Sequence, residues 1–241
     1  MTTEVSASLA AASLRQLLTS DISLADIFYR YKMDFCCGGH QTLAQAAERA
    51  QAPLEQVMEE VETHLRFGSG KHLRAEKWPL HFLVEYIELI HHAYTREALT
   101  TIAPALSKIL QKHGSNHPEL ETLAELFVAL DEEMQAHMQK EERVLFPYIV
   151  RLAQGNAEVP PFGSLQNPIR MMQSEHDDAG RILEQMAEIT GQFTPPADGC
   201  NTYRFVYRRL QELDEDLRLH IHLENNILFP RALALEEQPG A

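Results

Sequence analysis

The chain of 241 residues lacks the ingredients of most folds other than helices. Glycine is sparse at 11 residues, and alternating runs rich in Val, Ile and Thr are missing. A half-buried strand needs apolar side chains at every second position, so strand-built folds are excluded. Cysteine occurs three times, as the adjacent Cys36 and Cys37 and the distant Cys200. An odd count without scaffold spacing excludes a disulfide-built domain and fits a reducing cytoplasm. No stretch approaches the roughly 18 apolar residues of a spanning helix, and Glu4 stands where a secretory signal carries positive charge. The reading is no membrane segment and no export signal. Basic residues are also in deficit, with 21 Lys+Arg against 35 Asp+Glu and a net charge of −14. Nucleic acids and anionic membranes are recognised by clustered basic side chains that release counterions, and the balance excludes both as partners.

What the chain has is histidine, twelve of them beside a single Trp, and long stretches with apolar residues at three- and four-residue steps. Breakers divide these stretches at Phe67-Gly68-Ser69-Gly70, His113-Gly114-Ser115-Asn116, Val159 to Ser164 and Thr194 to Gly199. The pattern predicts long helices over 78–112, 117–154, 165–191 and 201–235. The expected fold is all-α, an up-down four-helix bundle over 78–236 preceded by a small helical N-terminal domain over 1–66.

One segment occurs twice. His137 to Pro147 and His220 to Pro230 both read H-x3-E-x3-L-F-P, and each is preceded, by 45 and 44 residues, by a further histidine, His92 and His176. The chain thus reads as two copies of a helix pair. In the second helix the inward stripe runs through Leu120, Leu123, Phe127, Leu130 and Met134 to His137 and Glu141, then Val144 and Tyr148. In the fourth it runs through Val206, Leu210, Leu213 and Leu217 to His220, Glu224 and Ile227; in the third, through Leu165, Ile169 and Met172 to His176, Ala179, Leu183 and Met186.

A carboxylate at a core position costs several kcal/mol unless it is paired or bound to a metal. His and Glu at i and i+4 share one helical face and reach one cluster. Four imidazoles and two carboxylates suit two metal ions, each carboxylate bridging both and two imidazoles falling to each, with an oxo or hydroxo bridge supplying further charge. About one position per ion stays open. No H-E-x-x-H is present, and the repeated pattern is not the Glu-x-x-His of ferritin-like bundles, which disfavours zinc-protease and ferritin-like sites. Mixed N/O ligation favours iron, with manganese as the other option. In the first helix His91 and His92 are adjacent and point about 100° apart, so one should serve, and the matched interval favours His92. Glu133 and Asp216, each four residues before a ligand histidine, and Glu175 beside His176 are candidate acceptors for imidazole N–H groups. His222, two residues from His220, points away and is read as a non-ligand. Cys36 and Cys37 precede a predicted helix from Thr42 to Ala50. A helix N-terminus favours a thiolate, which makes them redox candidates; two small apolar residues packed under a turn is the plainer alternative.

The chain resembles the di-iron iron–sulfur cluster repair proteins, a hemerythrin-like family. The likeness rests on D-F-C-C-G-G-x-x-T-L at Asp34 to Leu43, H-H-x-Y-x-R-E at His91 to Glu97, H-x3-E-E-x-x-L-F-P from His137, S-E-H-D-x-A-G at Ser174 to Gly180, and H-x3-E-N-N-x-L-F-P from His220. It covers nearly the whole chain. The resemblance implies iron ligands at His92, His137, Glu141, His176, His220 and Glu224, and so selects His92 over His91. It also implies a cytoplasmic, dimeric stress protein with two non-haem irons that restores iron–sulfur clusters damaged by nitric oxide or peroxide. Supply of iron to damaged iron–sulfur proteins is the leading expectation. The alternatives are a nitric oxide or peroxide reductase, with the cysteines relaying electrons, and a module that binds or senses O2 or NO.

Overall fold

The structure, a computed structural model, describes residues 3–67, 74–156 and 160–237. Gly68, Ser69 and Gly70 of the predicted N-terminal break, and Val159 of the later loop, lie outside them. Five short helices come first: α1 Thr3–Ala11, α2 Leu14–Ser20, α3 Ala25–Arg30, α4 Leu43–Arg49 and α5 Leu54–Phe67. Two begin with reciprocal caps: Ser13 with Gln16 opens α2 and Thr42 with Gln45 opens α4, each satisfying two otherwise orphaned N–H groups. Four long helices follow, α6 over 80–113, α7 over 119–153, α8 over 166–189 and α9 over 201–236. Among the described residues there is no strand, only an isolated bridge between Ser13 and Thr42.

The long helices pack in a ring, α6 on α7, α7 on α8, α8 on α9 and α9 back on α6. The fold is the all-α up-down bundle that short connections between successive helices produce. Its core has two apolar layers. One holds Leu99, Ile102, Phe127, Leu130, Leu183 and Leu210; the other holds Leu83, Ile87, Phe146, Ile149, Ile169, Met172 and Phe229. The buried polar residues His92, His137, Glu141, His176, His220 and Glu224 lie at sequence positions between the two.

Three of the four long helices widen into a π turn at this level, at Ile87–His92, Glu141–Leu145 and Glu224–Leu228. A π turn adds one residue to a helical turn and so re-aims everything after it. The inward stripe of α7 was expected to resume at Val144, but Val144 is 48% exposed and Leu145 is buried. The heptad reading misses this because it assumes a constant number of residues per turn throughout. Pro147 and Pro230 lie in the first turn of the α-helix that restarts after their π turns, where a missing N–H is least harmful.

The N-terminal helices gather a separate apolar cluster, including Leu14, Leu18, Phe28, Leu43, Val57 and Val61, and Ile221 of α9 belongs to it. This contact makes α9 buried on nearly all sides from His220 to Phe229.

Candidate metal centre

The six residues expected to bind metal converge in the middle of the bundle, each at most 1% exposed. They form two overlapping groups: His92, Glu141, His220 and Glu224, and His137, Glu141, His176 and Glu224. The Nε2 atoms of His92 and His220 are 3.2 Å apart, and those of His137 and His176 are 2.9 Å apart. Two imidazoles bound to one ion through bonds of ~2.1 Å at roughly right angles would stand about 3 Å apart. Each glutamate reaches both groups. Glu141 sets one oxygen 3.4 Å from His92 Nε2 and the other 3.3 Å from His137 Nε2; Glu224 sets its oxygens 3.0 Å from His220 and 3.0 Å from His176.

Both Glu141 oxygens and Glu224 Oε2 are buried without a well-directed hydrogen bond among the described residues. Carboxylate oxygens and imidazole nitrogens at contact distance, but with little hydrogen bonding between them, aim lone pairs at common points. Buried oxygens of this kind are costly unless a cation sits there. The donor set fits two divalent ions, and its nitrogen and oxygen chemistry suits iron. Burial alone would raise both glutamates. Against it, the imidazoles of His137 and His92 hold Glu141 below the usual carboxylate range, and those of His220 and His176 hold Glu224 well below it.

The other imidazole nitrogen of each ligand is where the helices differ. His92 donates from Nδ1 to Glu142, 2.7 Å away, and Arg96 fixes that carboxylate from 2.6 Å. His176 donates to Asn225 Oδ1 at 3.0 Å. His137 donates to Glu175 at 2.8 Å, and Lys140 holds the same carboxylate. His220 Nδ1 has no partner among the described residues. Such acceptors fix the tautomer that leaves Nε2 free for a metal and make the imidazole more basic.

The three acidic candidates for this role divide. Glu175 takes it, though for His137 rather than for its neighbour His176. Asp216 does not serve His220: its Oδ1 lies 3.0 Å from His91 Nδ1. Four residues of helix put Asp216 and His220 on one face, but His91 of the facing α6 reaches the carboxylate first. Glu133 makes no hydrogen bond to an imidazole among the described residues; burial, then the nearby Glu175 carboxylate, raise it. Glu142 and Asn225 were missed, yet the repeat contained the signal, because each directly follows the glutamate of its copy and serves the imidazole of the preceding helix. The Phe of each L-F-P does similar work. Phe146 stacks on His92 and Phe229 on His176, with centroids 5.7 and 6.2 Å apart.

His222 does point away from the centre, but it is buried rather than idle. It approaches Asn226 and the carbonyl of Phe35 in the N-terminal segment. Asn226 donates to the Cys36 carbonyl at 3.0 Å and accepts from Arg15 at 2.8 Å. A Cβ on Gly39 would come within 2.8 Å of Asn226, so only glycine fits there without a shift. The double-cysteine loop is thus fastened to the helix that carries Glu224.

Cys36 is buried, Cys37 half-buried, and their sulfurs lie 4.0 Å apart as free thiols. The expectation that a helix N-terminus favours their thiolate is corrected for Cys37. The helix starts at Leu43, as expected, but the hydrogen bond with Cys36, burial, and the charges of Asp34 and Asp177 push the Cys37 thiol strongly up. A low-pKa thiol lies elsewhere. Cys200 caps the N-terminus of α9, and the Tyr203 N–H, then His113 at 3.3 Å, bring it down to about 7.

The Hemerythrin HHE cation binding domain family matches residues 86–232, and the chain belongs to it. A second family, a domain of unknown function named ScdA_N, matches residues 10–64. Over most of its length the chain is similar to proteins named iron-sulfur cluster repair protein YtfE. The proteins from Citrobacter koseri and Escherichia coli O157:H7 are each 36% identical over 223 residues, 92% of this chain and 97% of theirs. The protein from Cronobacter sakazakii is 38% identical over 211 residues, 88% of this chain and 91% of its own. The chain belongs to the family of these repair proteins. No helix among the described residues is long and apolar enough to cross a membrane.

Proposed function

We propose that this protein repairs iron–sulfur clusters damaged by oxidative or nitrosative stress, and that it does so by supplying iron from a two-iron centre. The observation that carries the reading is the pair of converging imidazole couples, 3.2 and 2.9 Å apart, spanned by two carboxylates with unsatisfied oxygens. His92 and His220 would hold one ion, His137 and His176 the other, with Glu141 and Glu224 shared. Bound there, iron supplies an exchangeable divalent ion, since oxygen and imidazole donors hold Fe(II) less firmly than the thiolates of a cluster do.

The chain's own residues supply orientation and exclusion of water. Glu142, Glu175 and Asn225 hold three imidazoles with Nε2 inward, and the apolar layers on either side keep bulk solvent out. The proposal extends to damaged iron–sulfur proteins as recipients, to NO or O2 as small ligands of the centre, to a homodimer, and to a reducing cytoplasm, which three free thiols support. The test is transfer of labelled iron. The loaded protein is mixed with a depleted iron–sulfur protein, and label and cluster absorbance are followed. Cluster recovery beyond that given by the same amount of free ferrous iron is expected; recovery no better than free iron overturns the reading.

A further inference from the structure

A second group of metal-binding side chains lies outside the bundle core. Asp34, Cys36 and Cys37 sit on the loop that α9 fastens, and one ligand atom from each lies within 4.8 Å of the others. The two sulfurs are 4.0 Å apart, and Cys36 Sγ is 3.3 Å from Asp34 Oδ1. Bonds of ~2.3 Å to sulfur and ~2.1 Å to oxygen on one tetrahedral ion would put sulfur about 3.8 Å from sulfur and about 3.6 Å from oxygen. The loop therefore holds its donors at nearly the spacing of three corners around one ion. The Cys36 thiol proton, on the line to Asp34, occupies the place that a cation would take. Local contacts keep the loop in this form. The Cys37 N–H donates to Asp34 Oδ1 at 3.0 Å, and the chain turns back so tightly at Gly38 that an added Cβ would come within 2.6 Å of the Asp34 carbonyl and 2.9 Å of Oδ2.

All three donors line an open cavity of about 380 Å³ between the loop and the bundle, so the fourth corner faces open space. The far walls carry Asp177, Arg181 and Glu184 of α8 and Arg218 of α9, with Arg49 of α4 beside the loop. Arg181 is engaged by Asp178 and Arg218 by Asp214. Two thiolates and a carboxylate around a divalent ion leave one negative charge, and the guanidinium groups are placed to balance it. Against burial, the charges of Asp214, then Cys36, Tyr29 and Asp34, hold Arg218 in its cationic form. The chemistry differs from that of the bundle centre, because thiolates select zinc-type ions where imidazole and carboxylate suit iron.

We propose that Asp34, Cys36 and Cys37 form a second metal site, for one thiophilic divalent cation of the zinc type, with its fourth position open to this cavity. The site is separate from the six-residue centre and does not depend on what that centre does. Binding is a displacement of protons. Two S–H bonds break, two metal–sulfur bonds form, both protons pass to solvent, and no electron moves. Structural zinc sites close all four positions, whereas three protein ligands and an open corner leave a place for an exchangeable ligand.

The full chain, loaded anaerobically with ferrous iron, is titrated with Co(II) and the absorption spectrum is followed. Cobalt bound by thiolate gives an intense sulfur-to-metal charge-transfer band that nitrogen and oxygen donors do not, so the iron centre cannot mimic it. The band should saturate at about one Co(II) per chain, and one equivalent of Zn(II) should abolish it. Cys37→Ser should remove most of the band. Asp34→Asn should weaken cobalt binding at least about tenfold, the least that even an outer partner of a metal site is worth. Iron content should be unchanged in both variants, and Cys200→Ser should leave the band intact. No charge-transfer band, a band indifferent to Cys37→Ser, or a band lost in Cys200→Ser overturns the proposal. Cys37 is half-buried, so serine there decides the matter if Cys36→Ser, at a buried position, does not fold.

Discussion

The two H-x3-E-x3-L-F-P segments agree where they face the metal positions and part company one residue further out. Each contributes an imidazole, a glutamate that reaches both histidine groups, a π turn that begins at that glutamate, and a Phe stacked on the imidazole of the preceding helix. After the glutamate, one copy has Glu142, which with Arg96 clamps His92, and the other has Asn225, which holds His176 with a neutral amide. His137 is met by Glu175, while His220 is met by the face of His91. The electrostatics follow. Burial lowers both imidazoles, but at His137 the carboxylates of Glu141, Glu175 and Glu224 outweigh it and raise the pKa to about 10. At His220 burial prevails and the pKa is lowered. Repetition therefore preserved the inward imidazoles and carboxylates and let their hydrogen-bonding supports diverge.

The sharpest way to break the comparison is to remove what the halves share. Glu224→Ala should reduce bound iron from about two ions per chain to nearly none, since the carboxylate serves both groups; His137→Ala should also give a large fall but spare more. Metal analysis of protein purified without added metal checks both, and unchanged iron in the two variants would refute the site. Next in size are the supports. Glu142→Gln and Glu175→Gln should each weaken iron binding about 10- to 100-fold in one half only, seen as splitting of a competitive chelator titration into two steps.

A smaller effect separates the imidazoles by charge in protein prepared without metal. His137, raised to about 10, should carry a proton at pH 7 and release it on iron uptake, whereas His220, lowered, should already be neutral. Iron affinity should then climb as pH rises from 7 toward 10, and nitrogen NMR of the two rings should show His137 alone titrating in that window. The smallest effect lies where the second copy joins the N-terminal segment. Asn226→Ala removes hydrogen bonds to Cys36 and Arg15 and should lower stability by about 1–3 kcal/mol, with iron content held. Denaturant unfolding measures this, and the equivalent change at Arg143→Ala, 83 residues earlier, should have little effect.

Much of this was legible before the fold was known. Four helices, the all-α class and six inward polar residues follow from spacing, because a repeated histidine and glutamate interrupting two leucine stripes has few uses other than a metal. The places where the reading slipped are instructive. Val144 was put inside because a heptad cannot register a π turn, and Asp216 was given to His220 because sequence distance along one helix says nothing of a competitor on the next. Cys37 was read as activated by the helix that follows, but the hydrogen bond with Cys36, burial and the nearby carboxylates push its thiol up.

The sequence by itself determined which side chains face the bundle axis up to the π turns, since periodicity places residues on faces and a buried carboxylate demands a cation. It also determined the pairing of the two halves, through the repeat. Only the tertiary structure decided which carboxylate or amide supports which imidazole, that His91 lies against His220 with an empty nitrogen, and that the cysteine loop is tied to α9. These are contacts between helices far apart in the chain, fixed by how four packed cylinders rotate against one another, and a shift of one residue in a π turn is enough to change them.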